Sequence, residues 1–136
     1  MSSEFNQKII EEFRANGGQV GGHFQGSSLV LLSTTGAKSG KRVTTPVMYV
    51  RDGDRIVIIA SNAGGDNHPA WYHNLLANPD VTVELGAETF EAKSELIEGD
   101  ERDRLYAEMV AIAPTFADYE AKTSRRIPVV ALNRAA

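Results

Sequence analysis

The 136-residue chain has no cysteine, which excludes disulfide cross-links, thiolate nucleophiles and iron–sulfur ligation together. Histidine is scarce: His23, His68 and His73 are not spaced four apart on a helix, so the pairing of a helical metal site is missing. Long apolar runs are absent, and the longest, such as Ile56–Ala60, are strand-sized and far too short to cross a bilayer. The N-terminal residues contain no apolar stretch of the signal-peptide kind, so the expectation is a soluble, cytoplasmic protein without membrane association. A basic excess is lacking too; 14 Lys and Arg stand against 18 Asp and Glu, for a net charge of −4. That balance argues against nucleic acid as a partner, because non-specific binding to it runs on a broad basic surface. No G-x-S-x-G elbow occurs, and the adjacent carboxylates Glu11–Glu12 and Asp100–Glu101 fall on solvated stretches of helix. The usual equipment of a hydrolase is not there.

What is there suffices for one ordinary core. Hydrophobic residues make up 42% of a chain of single-domain size, and residues 1–136 read as one domain. "SSEFNQKIIEEFRANGG" predicts a helix within 1–17, capped by Ser2 or Ser3, striped by Phe5, Ile9, Ile10 and Phe13, and stopped by Gly17 and Gly18. That stripe serves either a homodimer interface or the protein's own core. After the link "GGHFQG", β-branched runs predict strands over Leu29–Thr35, Val43–Arg51 and Arg55–Ala60, with "DGD" as a hairpin turn. "PAWYHNLLANP" predicts a short helix with Asp66 or Asn67 as cap and Pro69 in its first turn. "DVTVEL" and "ETFEAKSELI" form a hairpin around Gly86. A helix over Asp100–Ala113 has Leu105, Met109 and Ile112 on one face, "PTFADYEAKTSRR" reads as a short helix and a bend, and "IPVVALNR" is the last strand. About six mainly antiparallel strands with flanking helices close most naturally into a small, partly open β-barrel, over residues 28–133.

One stretch stands against the acidic background. "TTGAKSGKR" crowds Lys38, Lys41 and Arg42 into a turn with Gly36 and Gly40. It is either a solvated hairpin tip or a clamp for a phosphorylated ligand, built from backbone N–H groups at Gly36, Ser39 and Gly40, the Ser39 hydroxyl and the cations. It fails the Walker pattern by one residue and leads into a strand. A second loop, "SNAGGDNHPAWYHN", puts Ser61, Asn62, Gly64 and Gly65 before a helix N-terminus, where free N–H groups favour an anion. One ligand with a phosphate and a planar ring would account for both loops. Pro46, Val47 and Met48 offer a slot for the ring, with Pro46 leaving an acceptor without a donor. Trp71 and Tyr72 cover a ring face or pack the helix on the barrel. His68, His73 and Asn74 read as structural or exposed.

Taken together, "TTGAKSGKRVTTPVMY", "VRDGDRIVIIASNAGGDNHPAWYHNLLANPDVTVEL" and the closing "RRIPVVAL" resemble the deazaflavin-dependent nitroreductase family over about residues 28 to 133. The resemblance implies a split β-barrel of the FMN-binding kind that uses 8-hydroxy-5-deazaflavin, coenzyme F-420, to transfer a hydride to a small electron-poor acceptor such as a quinone or nitroaromatic. It also implies that Lys38, Ser39, Gly40, Lys41 and Arg42 hold the coenzyme's phosphate and anionic tail. Pro46, Val47 and Met48 would lie against the ring, and Ala60, Ser61, Asn62, Gly64, Gly65, Trp71 and Tyr72 would add contacts. Members that reduce bulky nitroimidazoles are tyrosine-rich before the last strand; here Tyr119 is the only tyrosine in "PTFADYEAKTSRR", either a donor to the acceptor or a buried structural residue. The alternatives are an FMN-dependent enzyme on the same barrel and a non-catalytic deazaflavin-binding protein.

Overall fold

The computed structural model describes residues 4–18, 29–53 and 55–135; the caps Ser2 and Ser3 and the link "GGHFQG" lie outside them, as does the side chain of Phe5. The first helix, α1 (Glu4–Ala15), ends where Gly17 takes φ +62°, with the Asn16 and Gly18 N–H groups bonded back to Glu12 and Phe13. Ile9, Ile10 and Phe13 are buried against Leu29 and Leu31, with Met48 at the edge. The stripe therefore lies on the protein's own barrel. Arg14 fixes the far end by a bidentate bond to Glu84 at 2.9 and 2.8 Å. A Cβ at Gly18 would come within 2.7 Å of the Gly86 backbone, so only glycine lets the helix end touch that turn.

Six strands follow: β1 (Leu29–Thr35), β2 (Arg42–Asp52), β3 (Arg55–Ile59), β4 (Asp80–Leu85), β5 (Glu88–Ile97) and β6 (Val129–Arg134). They close a barrel in the order β1-β2-β3-β6-β5-β4, and every pairing is antiparallel, as the hairpin signals led us to expect. The long strand β2 serves two neighbours in turn. Residues 42–48 pair with β1 and residues 49–52 with β3. The seam between β1 and β4 is the shortest, with three residue pairs among the described residues.

Three helices finish the molecule: α2 (Ala70–Ala77), α3 (Gly99–Ile112) and α4 (Thr115–Lys122). Inside the barrel Val30, Leu32, Ile56, Ile58, Val83 and Leu132 pack with Trp71, Tyr72 and Leu75 of α2; each such large side chain contributes roughly 1.5–3 kcal/mol by leaving water. On the outer face of β3 and β6, Val57, Ile59, Val129 and Ala131 meet Leu105, Tyr106 and Met109 of α3 and Phe116 of α4.

Two details differ from expectation. Neither Asp66 nor Asn67 caps α2: Asp66 accepts the Thr123 hydroxyl, the Asn67 carbonyl accepts from Asn62, and Pro69 begins the helix in extended conformation without a side-chain cap. Ile112 does not join Leu105 and Met109 in the core but is 62% exposed at the last residue of α3, where Phe116 of α4 supplies the apolar cover instead.

Candidate functional site

The basic turn joins β1 to β2 and closes on itself. Gly36 N–H donates to the Lys41 carbonyl at 2.7 Å, Gly40 N–H to the Gly36 carbonyl at 3.0 Å, and Lys41 N–H to Ser39 Oγ at 3.2 Å. Of the expected N–H donors only that of Ser39 is left to a ligand, so this is not a nest of free amides. Its offering is charge. Lys38, Ser39, Gly40, Lys41 and Arg42 are all exposed. Arg14, Arg55, Arg102, Arg104, Arg126 and Arg134 each pair with a carboxylate, whereas among the described residues Lys38, Lys41 and Arg42 pair with none. Arg42 donates instead to the hydroxyls of Thr35 and Thr82, reaching across β1 to β4, and the Thr82 hydroxyl in turn donates a hydrogen bond to Glu91 Oε2 at 2.8 Å.

Strand alternation divides the residues that follow. Leu29 pairs with Met48 and Leu31 with Pro46, so Pro46 and Met48 share the outer face with Arg42 and Thr44. Those four side chains make one row, about 20 Å long at strand rise, from the cations to Met48. Val47 points the other way, into the barrel interior beside Val30 and Leu32, and can reach an outer ligand only through its main chain. Met48 itself lies where the α1 cluster meets the α3–α4 cluster.

The second loop leaves β3 at Ala60 and makes a 3-10 turn, Asn62–Gly64, under α4. Ala60, Ser61 and Gly64 are buried, Gly65 is half-buried and Asn62 is exposed at φ +47°, held by its own amide bonded to the Asn67 carbonyl. Gly64 has φ +78°, and a Cβ there would meet the Tyr119 backbone at 3.0 Å. Tyr119 is thus brought directly to this loop. It is half-buried, T-stacked on Phe116 at 5.2 Å, and its hydroxyl makes no hydrogen bond among the described residues. Trp71 and Tyr72, by contrast, are 7% and 8% exposed and pack in the barrel core; burial, then the Glu98 charge, pushes the Tyr72 phenol upward.

Asn74, read from the sequence as structural or exposed, is structural, and Arg125 is a residue that no motif singled out. Asn74 of α2 donates to Thr34 Oγ1 at 3.1 Å and accepts the Ala37 N–H at 3.0 Å, tying the basic turn to the helix that follows the glycine loop. Arg125, from the bend before β6, bonds the carbonyls of Ala60, Ser61 and Gly65. The only signal for it was its place in "RRIPVVAL".

Comparison with known proteins decides the family. The F420H(2)-dependent quinone reductase family model matches residues 6–134. The chain belongs to this family. It is 39% identical over 128 residues to the F420H(2)-dependent quinone reductase of Mycobacterium tuberculosis H37Rv, covering 90% of this chain and 85% of that protein. Among solved structures, an F420-H2 dependent reductase superposes with a TM-score of 0.73 at 38% identity, over 83% of this chain and all of that one. Another, described as a domain-swapped dimer, gives 0.74 at 34% identity over 96% and 98% of the two chains. The donor set of this quinone reductase family member fits an anionic deazaflavin: unpaired exposed cations at one end of the β2 row, and the apolar Pro46 and Met48 with the free Tyr119 hydroxyl toward the other.

Proposed function

We propose that this protein transfers a hydride from reduced coenzyme F-420 to a quinone. The observation that carries the reading is the β2 row, with three cations lacking carboxylate partners at one end and Met48 at the other. When bound, the deazaflavin supplies the hydride; the chain's residues bind, orient and protonate. Lys38 and Lys41, assisted by Ser39, Gly40 and Arg42, hold phosphate and the anionic tail. Pro46 and Met48 pack on the ring, and the main chain at Val47 and in the loop Ala60–Gly65 hydrogen-bonds its polar edge. Tyr119 donates a hydrogen bond to a quinone carbonyl, which stabilises negative charge there as the hydride arrives; a proton from Tyr119 or water then completes the hydroquinone. Trp71 and Tyr72 support the loop from the core without touching the ligand. A cytoplasmic site of action suits a chain without cysteine, and no helix among the described residues is long and apolar enough to cross a membrane. Pairing of two copies belongs to the same reading, supported by the similar structure described as a domain-swapped dimer.

The test is a titration with oxidised coenzyme F-420 and, in parallel, FMN, followed by mixing of the reduced coenzyme with menadione. Salt-sensitive binding of coenzyme F-420 with quinone-dependent oxidation is expected. Binding of FMN alone would overturn the cofactor assignment. Binding without turnover would make the protein a carrier.

A further inference from the structure

Arg125 donates Nε–H to the Gly65 carbonyl at 2.8 Å, Nη1–H to the Ala60 carbonyl at 3.2 Å and Nη2–H to the Ser61 carbonyl at 2.7 Å. A fourth contact joins Nη1 to His68 Nδ1 at 2.9 Å, which fixes Nδ1 as the acceptor of the ring. Among the described residues no carboxylate pairs with this guanidinium. Three main-chain carbonyls of one loop therefore converge on a single cation contributed from 60 to 65 residues away. A guanidinium is planar, with five donors at fixed angles, so the carbonyls that meet it are held in defined directions.

That arrangement has a second side. No peptide bond is cis, and in a trans peptide the N–H points opposite to the C=O. The peptides whose oxygens face Arg125 carry the N–H groups of Ser61, Asn62 and Asp66, which are turned away from it. None of those three N–H groups has an acceptor among the described residues, whereas Gly64 and Gly65 N–H close the turn on Ser61 and Asn62. The loop gathers its acceptors on Arg125 and leaves these donors turned away from it.

We infer that Arg125 is the positioning residue of the coenzyme loop, collecting the carbonyls of Ala60, Ser61 and Gly65 so that the N–H groups of Ser61, Asn62 and Asp66 face the acceptor atoms of bound coenzyme F-420. This rests on the proposed function. A lysine keeps the charge at this position but offers its donors from one tetrahedral nitrogen instead of a planar fork of three, which makes Arg125→Lys the informative variant.

The experiment compares coenzyme F-420 affinity by equilibrium dialysis, over a range of salt, for the wild type, Arg125→Lys and the double variant Lys38→Ala/Lys41→Ala. Amide hydrogen exchange of the free proteins runs alongside. Arg125→Lys is expected to bind roughly tenfold more weakly with the wild-type salt slope, since two or three charge-assisted hydrogen bonds are lost and the phosphate cations are kept. Exchange should accelerate at Gly64 and Gly65, whose N–H groups close the turn, and stay as it is in the barrel strands. The double variant should lose salt slope while exchange at Gly64 and Gly65 is unchanged. Wild-type affinity in Arg125→Lys beside weakened binding in the double variant would overturn the inference and leave the proposed function standing. Wild-type affinity in both variants, or no coenzyme binding by the wild type, would overturn the proposed function itself. Unfolding of Arg125→Lys would also sink the inference, because it assigns Arg125 to the loop and not to the barrel.

Discussion

The two glycine-bearing loops read alike in the sequence and are built in opposite ways. The basic turn is exposed, bonds its N–H groups to itself and is tied to the rest of the protein through Asn74. The loop after β3 buries Ala60, Ser61 and Gly64, wraps its carbonyls around Arg125 and lies directly under the α4 backbone. The first supplies charge on long side chains that can adapt to a ligand; the second supplies fixed direction. In the proposed function, affinity and geometry are thus divided between two elements that the sequence alone would class together.

The strongest way to break that contrast is Gly64→Val. Its Cβ would meet Tyr119 Cα and O at 3.0 and 3.1 Å, at a φ of +78° that a β-branched residue rarely adopts. A loss of about 2–4 kcal/mol is expected from the strain together with the displaced α4, read as a lower urea midpoint at unchanged slope. Gly40→Val in the basic turn also has positive φ, at +71°, but finds open space. It should cost about half as much, which sharpens the difference between the loops.

Asn74→Ala comes next. It removes two hydrogen bonds of 3.0 and 3.1 Å and leaves the Ala37 N–H without its partner. About 1–2 kcal/mol of stability should go, and exchange at Ala37 should rise while Gly64 and Gly65 stay protected. Replacing Lys38 and Lys41 together by Ala should leave stability within about 0.5 kcal/mol. Coenzyme binding should weaken by roughly five- to tenfold at low salt, as two exposed charges are lost, and the defect should shrink as salt rises.

The smallest effect expected is a pH dependence. Burial, then the charges of Arg125 and His73, holds the His68 imidazole below its ordinary value of 6.5, while Tyr72 stacks against the same ring at 4.7 Å. The unfolded chain therefore takes up a proton at this site before the folded one does. Stability from this group is complete above pH 6.5 and is lost as pH falls from there toward the lower folded value. Thermal melting of wild type and His68→Asn across that window should show the steeper fall in the wild type. Parallel curves would remove His68 from the loop's support.

Much of the barrel was legible because its causes are local. β-Branched alternation marks the strands, and glycine at 53 and 86, both at φ near +60°, marks two hairpin turns. The closing pairs of β3 with β6 and β1 with β4 were not legible, since nothing in either strand encodes a partner that distant. In the site, the basic turn was visible as a local excess of charge. The opposite facing of Val47 and its neighbours follows from strand alternation once the register is known. The buried fate of Trp71 and Tyr72 depends on α2 plugging the barrel, which is a tertiary fact. Arg125 was the hardest, as a side chain whose partners all lie 57 to 65 residues earlier.

The short seam between β1 and β4 has a consequence for how the molecule breathes. Three residue pairs close it, and Arg42 laces the two strands together through Thr35 and Thr82. The cylinder should unzip there before it parts elsewhere, with Leu31–Ser33 amides keeping the fastest clock of any barrel strand. In the proposed function Arg42 is also one of the cations that hold the coenzyme, so that reading couples occupancy to the openness of the cylinder. A coenzyme that leaves Arg42 on its two threonines would slow that clock; one that draws the guanidinium outward would speed it.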